Sequence, residues 1–294
     1  MSAIIIDGKA ISLKVREEVK QRAGALRPKG IVPCLAVILV GEEPASLSYV
    51  SAKEKALGEA GMGSRDFRLA FSTTEAELLS LIKRLNADGK VHGILVQLPL
   101  PSHISEERVI TAIDPRKDVD GFHPVSVGNM VLGRPGFLPC TPHGVLALLR
   151  ELRIPTAGAH AVVLGRSNIV GKPLANLLAR RDVNATVTIC HTGTRDLGAI
   201  TRQADILIAA AGRAGLVTAD MVKEGAAVID VGVNRVADST ARRGYRLRGD
   251  VDYAPVAEKA AWITPVPGGV GPMTIAMLLR NVIESAERFA IEQL

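Results

Sequence analysis

Apolar residues recur along this chain in two rhythms that take turns from end to end. In "AISLKVREEVKQRAGAL" (10–26) they return every three or four positions on a polar background. That spacing predicts an amphipathic helix. In "PCLAVILVG" (33–41) they form one unbroken run, the pattern of a strand buried on both faces. "PASLSYVSAKEKALGEAG" (44–61) returns to the helical rhythm, opening at a proline and stopping at a glycine. "TEAELLSLIKRLNAD" (74–88) follows as a helix with Thr73 or Thr74 as its cap, then "VHGILVQLPL" (91–100) as a strand and "SEERVITAI" (105–113) as a short helix.

A zone rich in Gly and Pro interrupts the alternation at 114–142 and predicts loops and a domain junction. "HGVLALLREL" (143–152) leads out of it as a helix. A second series then runs through strands at 159–165, 185–191, 205–212, 226–233 and 261–266, with helices at 170–181 and 196–204. A long helix over 272–294 closes the chain. Strand–helix alternation of this kind builds an open parallel sheet, and the second series has the rhythm of a dinucleotide-binding domain.

Composition narrows the class. The chain has 294 residues, 47% hydrophobic, 22% charged and only 3% aromatic, so its cores are aliphatic. The net charge of +6 is scattered, and its densest patches lack interleaved aromatics, which argues against nucleic acid as a partner. Cys34, Cys140 and Cys190 are far apart, no CxxC occurs, and the six histidines are isolated. Neither a disulfide framework nor a metal site is expected. The first twelve residues lack a signal-peptide core, and the longest apolar run is too short to cross a bilayer, so a cytoplasmic protein without a membrane partner is expected.

Candidate chemistry sits at four places. "VVLGRSNIVGKP" (162–173) lies between a strand and a helix, where Gly165 and Gly171 let the backbone approach a pyrophosphate at a helix N-terminus. Arg166 could pair with a 2′-phosphate. Ser167 is not a nucleophile, because Ile169 occupies the last glycine position that a nucleophile elbow needs. "TPVPGGVGPMT" (264–274) packs three prolines and three glycines behind a strand, a rigid loop able to press its backbone on a flat ligand. Gln97 stands inside an apolar strand run and needs a partner or a site to line. Tyr49 and Lys53 are four apart on one helix face. Asp118 and Asp120 precede Gly121 in what reads first as a tight turn.

Together "SYVSAKEKA", "GILVQLPLP", "KDVDGFHP", "PCTPHGV", "GRSNIVGKP", "VTICHTGT", "VIDVGVNR" and "TPVPGGVGPMT" resemble the bifunctional methylenetetrahydrofolate dehydrogenase/cyclohydrolase family, over essentially the whole length. The resemblance implies an α/β protein of two domains. An N-terminal α/β catalytic domain, 1–140 plus 273–294, would bind folate, and 141–272 would form a Rossmann-like NAD(P)-binding domain. It implies catalytic roles for Lys53, Gln97, Tyr49 and Asp120. A tetrahydrofolate derivative would lie against Tyr49, Lys53, Gln97, Leu98, Asp120, Pro265, Gly268, Gly269 and Pro272. Gly165, Arg166, Ser167, Thr192 and Val233 would contact the cofactor, NADP in preference to NAD. Where many relatives carry a basic residue this chain has Gly193, so Arg166 is the argument for NADP. A homodimer is also implied.

The implied chemistry sets different demands in its two steps. Hydride leaves the methylene bridge without a proton, so the first step needs positioning and no base. Hydrolysis of the methenyl cation needs a base and then an acid, and Lys53 is the candidate for both.

Overall fold

Residues 2–41, 44–241 and 244–292 are described by the computed structural model, those at 44–49 and 292 by their backbone alone. In chain order come β1 (Ile4–Ile5), α1 (Gly8–Leu26), β2 (Cys34–Val40), α2 (Pro44–Glu59), β3 (Gly63–Leu69), α3 (Glu75–Ala87) and β4 (Gly93–Val96). Next are α4 (Glu106–Ala112), α5 (Pro124–Val131), α6 (Cys140–Glu151), β5 (His160–Leu164), α7 (Gly171–Leu178), β6 (Thr186–Cys190), α8 (Leu197–Thr201) and β7 (Ile206–Ala209). The chain ends with β8 (Ala227–Asp230), β9 (Asn234–Ala237), β10 (Tyr245–Arg248), α9 (Tyr253–Ala257), β11 (Trp262–Ile263) and α10 (Val270–Glu292).

Two compact units divide these elements: Leu13–Leu138 with Ile275–Leu294, and Met1–Ser12 with Pro139–Thr274. The expected division put residues 1–12 with the first unit. They group with the second because β1 pairs in parallel with β11, Ile4 opposite Trp262 and Ile5 opposite Ile263, while Ile6 is fully buried.

The unit built on Leu13–Leu138 holds a parallel sheet in the order β3-β2-β4. β2 lies in the middle and all seven of its residues are buried, which is why it reads as an unbroken apolar run. β3 is an edge strand, and its sequence "GSRDFRL" is half-exposed and charged. Charged edges prevent further strand pairing, and they also hide the strand from a search for apolar runs. α3 opens on a complete capping box, Thr74 with Glu77. The C-terminal end of α3 is closed by Lys117, whose buried Nζ donates to the carbonyls of Leu85, Asn86 and Asp88 at 2.8–2.9 Å. α5 lies inside the stretch expected to be loop. His123 caps it, accepting the Val125 N–H through Nδ1 at 3.0 Å, and Pro124 starts it.

The other unit carries six parallel strands in the order β1-β11-β8-β7-β5-β6. The chain leaves β5 for β6 on one side and then returns to β7 on the other. That reversal makes the C-terminal ends of β5 and β7 a topological switch point, the usual place for a ligand in such sheets. β9 and β10 form a separate antiparallel hairpin, polar and half-exposed, which the apolar pattern also passes over.

Candidate active site

Lys53 lies on α2 and is 7% exposed, an unusual setting for an ammonium group. Its Nζ donates to Oε1 of Gln97 at 3.0 Å. Gln97 directly follows β4. Its N–H donates to the Ile38 carbonyl on β2 at 2.8 Å, so the sheet fixes its backbone. Its Nε2 donates to the Leu98 carbonyl at 2.9 Å, which leaves Oε1 turned to the lysine. The glutamine in an apolar run thus has its partner. Leu98 is half-buried beside it. Tyr49 stands one helical turn before Lys53 on α2, and its side chain lies outside the described residues.

Asp120 is the third member of this group. Burial pushes its carboxyl up to about 6, the Lys53 charge pulls against that shift, and Asp118 adds to it. Asp118 does the turn's structural work. It is buried, and its two oxygens accept the Phe122 N–H at 3.2 Å and the His123 N–H at 2.9 Å. Burial pushes this carboxyl up to about 6 as well. The turn reading of "DVDG" therefore describes Asp118, while Asp120 faces a cation. Asn281 of α10 holds the segment from behind, donating to the Val119 and Leu138 carbonyls at 2.8 and 3.0 Å.

In the other unit the 264–274 stretch forms a tight loop leading into α10. Gly268 adopts φ of +111°, a backbone shape closed to most residues. A Cβ on Gly269 would lie 2.7 Å from the Pro265 carbonyl oxygen and from Thr264 Cβ. Pro265 and Pro272 are half-buried, and Pro272 sits in the first turn of α10. Sequence reasoning missed what anchors this loop. A Cβ on Gly8 would come within 1.8 Å of the Gly269 carbonyl oxygen, and the Lys9 N–H donates to the Gly268 carbonyl at 3.0 Å. The start of α1 thus grips the loop, which explains the glycine in "IIIDGKAIS".

A pocket of about 490 Å³ opens at the switch point, lined by Gly165, Arg166, Ser167, Thr192, Ala211 and Arg213 among others. Gly165 has φ of +129°, and a Cβ there would meet the Ala210 carbonyl oxygen at 2.1 Å. Gly171 is packed as tightly on the Gly165 carbonyl. The small residues hold the turn flat beneath the N-terminus of α7, a cradle that suits a pyrophosphate. Ser167 Oγ accepts the N–H groups of Val170 and Gly171 at 3.1 and 3.3 Å, so it caps that helix. Arg166 and Arg213 line the pocket and are exposed, and neither forms an ion pair among the described residues. Val233 is exposed after β8 and is not among the lining residues.

Arg213 and Asp250 escaped the sequence reading. Asp250 is fully buried, and its Oδ2 accepts the N–H groups of Ala211 and Gly212 at 2.6 and 2.8 Å. Its Oδ1 accepts from Asn234 Nδ2 at 2.9 Å. One carboxylate therefore pins the loop that forms a wall of the pocket. Among the described residues no cluster of His, Cys, Asp and Glu could hold a metal ion, and no helix is long and apolar enough to cross a membrane.

Residues 6–120 match the family model of the tetrahydrofolate dehydrogenase/cyclohydrolase catalytic domain, and residues 139–290 that of the NAD(P)-binding domain. The chain is 58% identical to the bifunctional protein FolD of Moorella thermoacetica, over 98% of this chain and 100% of that relative. It superposes on the crystal structure of the bifunctional enzyme FolD, a methylenetetrahydrofolate dehydrogenase/cyclohydrolase, from Campylobacter jejuni with a TM-score of 0.93. That pair is 52% identical and covers 98% and 99% of the two chains. The Trypanosoma brucei N5,N10-methylenetetrahydrofolate dehydrogenase-cyclohydrolase, solved with NADP and an inhibitor, gives a TM-score of 0.94 at 41% identity, with 98% of each chain covered.

Proposed function

The chain belongs to the tetrahydrofolate dehydrogenase/cyclohydrolase family, and from that premise we propose that it oxidises 5,10-methylenetetrahydrofolate to 5,10-methenyltetrahydrofolate with NADP and hydrolyses the product to 10-formyltetrahydrofolate. The observation that carries this reading is the hydrogen bond from the buried Lys53 to the half-buried Gln97, with Asp120 close by, in the unit that matches the catalytic domain.

NADP, when bound, accepts the hydride that leaves the bridging carbon. The chain's own part in that step is to hold the reactants. Gly165, Ser167 and Thr192 receive the dinucleotide, and Arg166 and Arg213 offer guanidinium groups that a 2′-phosphate pairs with. Arg213 supports NADP over NAD where Gly193 has removed a side chain. Val233 stays a candidate contact without support from the pocket lining.

Hydrolysis asks more of the protein. Water must lose a proton as it adds to the methenyl carbon, and the departing nitrogen must gain one. Lys53 serves both transfers. A substrate cation beside it disfavours a second positive charge, which frees the amine to act as base. Gln97 aims the amine without adding charge. Asp120 hydrogen-bonds the pterin ring, and Tyr49 and Leu98 flank the flat substrate. Pro265, Gly268, Gly269 and Pro272 give it a rigid backbone surface.

The reading includes a homodimer, which the family resemblance implies. It also includes a cytoplasmic location, which suits three cysteines that are all free and buried. Purified protein mixed with 5,10-methylenetetrahydrofolate and either NADP or NAD tests the chemistry. Reduced NADP forming without lasting methenyl compound is the expected result. No reduction of either cofactor would overturn the reading, and persistent methenyl compound would remove its hydrolytic half. Sedimentation velocity checks the dimer.

A further inference from the structure

A second cleft, of about 630 Å³, opens in the unit built on Leu13–Leu138, at the N-terminal ends of β2 and β3 and just ahead of β4. Lys53 and Gln97 belong to the other end of this sheet. β2 spans seven residues, so at about 3.3 Å per residue the two places are roughly 20 Å apart. The cleft serves no step described above.

Its lining is unusual in charge. Arg65, Lys90 and His92 line it, and no carboxylate does. Lys90 is exposed and makes no ion pair among the described residues. Arg65 gives one N–H to Asp88 Oδ2 at 2.6 Å and keeps its other donors. The remaining wall is apolar, with Ile31, Val32 and Phe289.

His92 is the decisive residue. It is 5% exposed, and its Nδ1 accepts the Cys34 N–H at 3.2 Å. The ring proton therefore sits on Nε2, and Nε2 has no hydrogen-bond partner among the described residues. Burial, aided by the Lys117 charge and opposed by Asp88, pushes the ring below the ordinary histidine value. Lys117, packed near the same Phe289 ring, gives its protons to three carbonyls. An N–H beside an aromatic ring, on a cleft lined by two cations, is a donor that an entering acceptor can take.

We propose that this cleft binds an organic anion, with a phosphate or carboxylate head held by Lys90, Arg65 and the His92 Nε2–H and an apolar or aromatic body against Ile31, Val32 and Phe289. The head satisfies the open histidine donor and balances the lysine. The body covers apolar surface that a bare inorganic ion would leave wet.

Phenyl phosphate is the probe, with inorganic phosphate as the head alone and benzyl alcohol as the body alone, each titrated into the full-length protein. The readout is the His92 ring ¹⁵N signals, which report this cleft and not the nucleotide pocket. Phenyl phosphate should shift Nε2 saturably and bind more tightly than either half. Lys90→Glu, on an exposed side chain, should weaken it by about tenfold, the usual size of one charge-assisted contact, with folate turnover unchanged. Absence of a saturable shift up to about 10 mM, where binding free energies fall below about 3 kcal/mol, would overturn the proposal. So would phenyl phosphate binding that Lys90→Glu leaves intact, or benzyl alcohol binding as tightly as phenyl phosphate. Equal binding of inorganic phosphate and phenyl phosphate would overturn the role given to the apolar wall.

Discussion

Lys53 and Gln97 are 44 positions apart in the sequence and 3.0 Å apart in space. Each was visible alone for a different reason. Gln97 was conspicuous because an amide in an apolar strand run must find a partner. Lys53 was an ordinary helix lysine until the family resemblance singled it out, since helical spacing cannot show that a face is buried. Arg213 and Asp250 stayed hidden because nothing periodic marks them, and Asp250 acts on backbone N–H groups 38 and 39 positions away. The roles can be separated by measurement. Lys53→Met should slow methenyl hydrolysis by about 10²-fold or more, the scale of general acid–base catalysis, while hydride transfer falls less. Following methenyl decay and cofactor reduction in the same cuvette gives both rates. Hydrolysis at the parental rate would remove Lys53 from the proton transfers.

At the scale of elements, apolar strands were legible, the edge strands β4 and β6 included, and polar strands were not. β2, β5 and β7 are apolar because both faces are covered. β3, β9 and β10 are polar because one side or face meets water, and α5 hides in a Gly- and Pro-rich stretch because a histidine caps it. The loops between elements are tied by buried aspartates, and this gives a pH signature. Burial raises Asp118, Asp120 and Asp230 to about 6. Between their unfolded values, near 4, and 6 the folded state holds these protons and the unfolded state does not, so stability falls as pH rises through that window. His92 opposes this below its unfolded value of about 6.5, since burial lowers it. Three groups outweigh one, so the urea midpoint should be higher at pH 5 than at pH 7. A midpoint that rises from pH 5 to 7 would mean the three carboxyls are solvated in the native state.

Asp250 makes a sharper test of one loop. Asp250→Ala strands three partly buried donors, so water recovers part of the roughly 1–3 kcal/mol that each would cost if fully buried. The variant should lose about 2–4 kcal/mol in urea unfolding, reduced by whatever water the site admits. Its KM for NADP should rise several-fold while its KM for the folate substrate moves little. Equal rises in both would show a general loosening and not a cofactor wall.

Across the whole chain, the two ends of the sequence meet twice. In one unit Arg22 of α1 forms a two-point ion pair with Glu287 of α10, at 2.6 and 2.9 Å. In the other, Gly8 touches the loop at Gly268–Gly269. Two α/β domains and a returning last helix were readable from the alternation and the resemblance. The grip of residue 8 on residue 269 was not, because a glycine chosen for lack of space looks like any other glycine. α1 supplies its own control. Gly24 has nothing within 4 Å of its absent Cβ. Gly24→Ala should therefore be neutral or stabilise by up to about 1 kcal/mol, from helix propensity alone. Gly8→Ala gains the same propensity but forces the 265–274 loop aside, an overpacking cost of about 1–3 kcal/mol. Its melting temperature should drop, and its KM for the folate substrate should rise in both reactions if that loop is a substrate surface. A lower melting temperature with unchanged folate KM would keep the grip as a folding contact and take the loop out of the binding site.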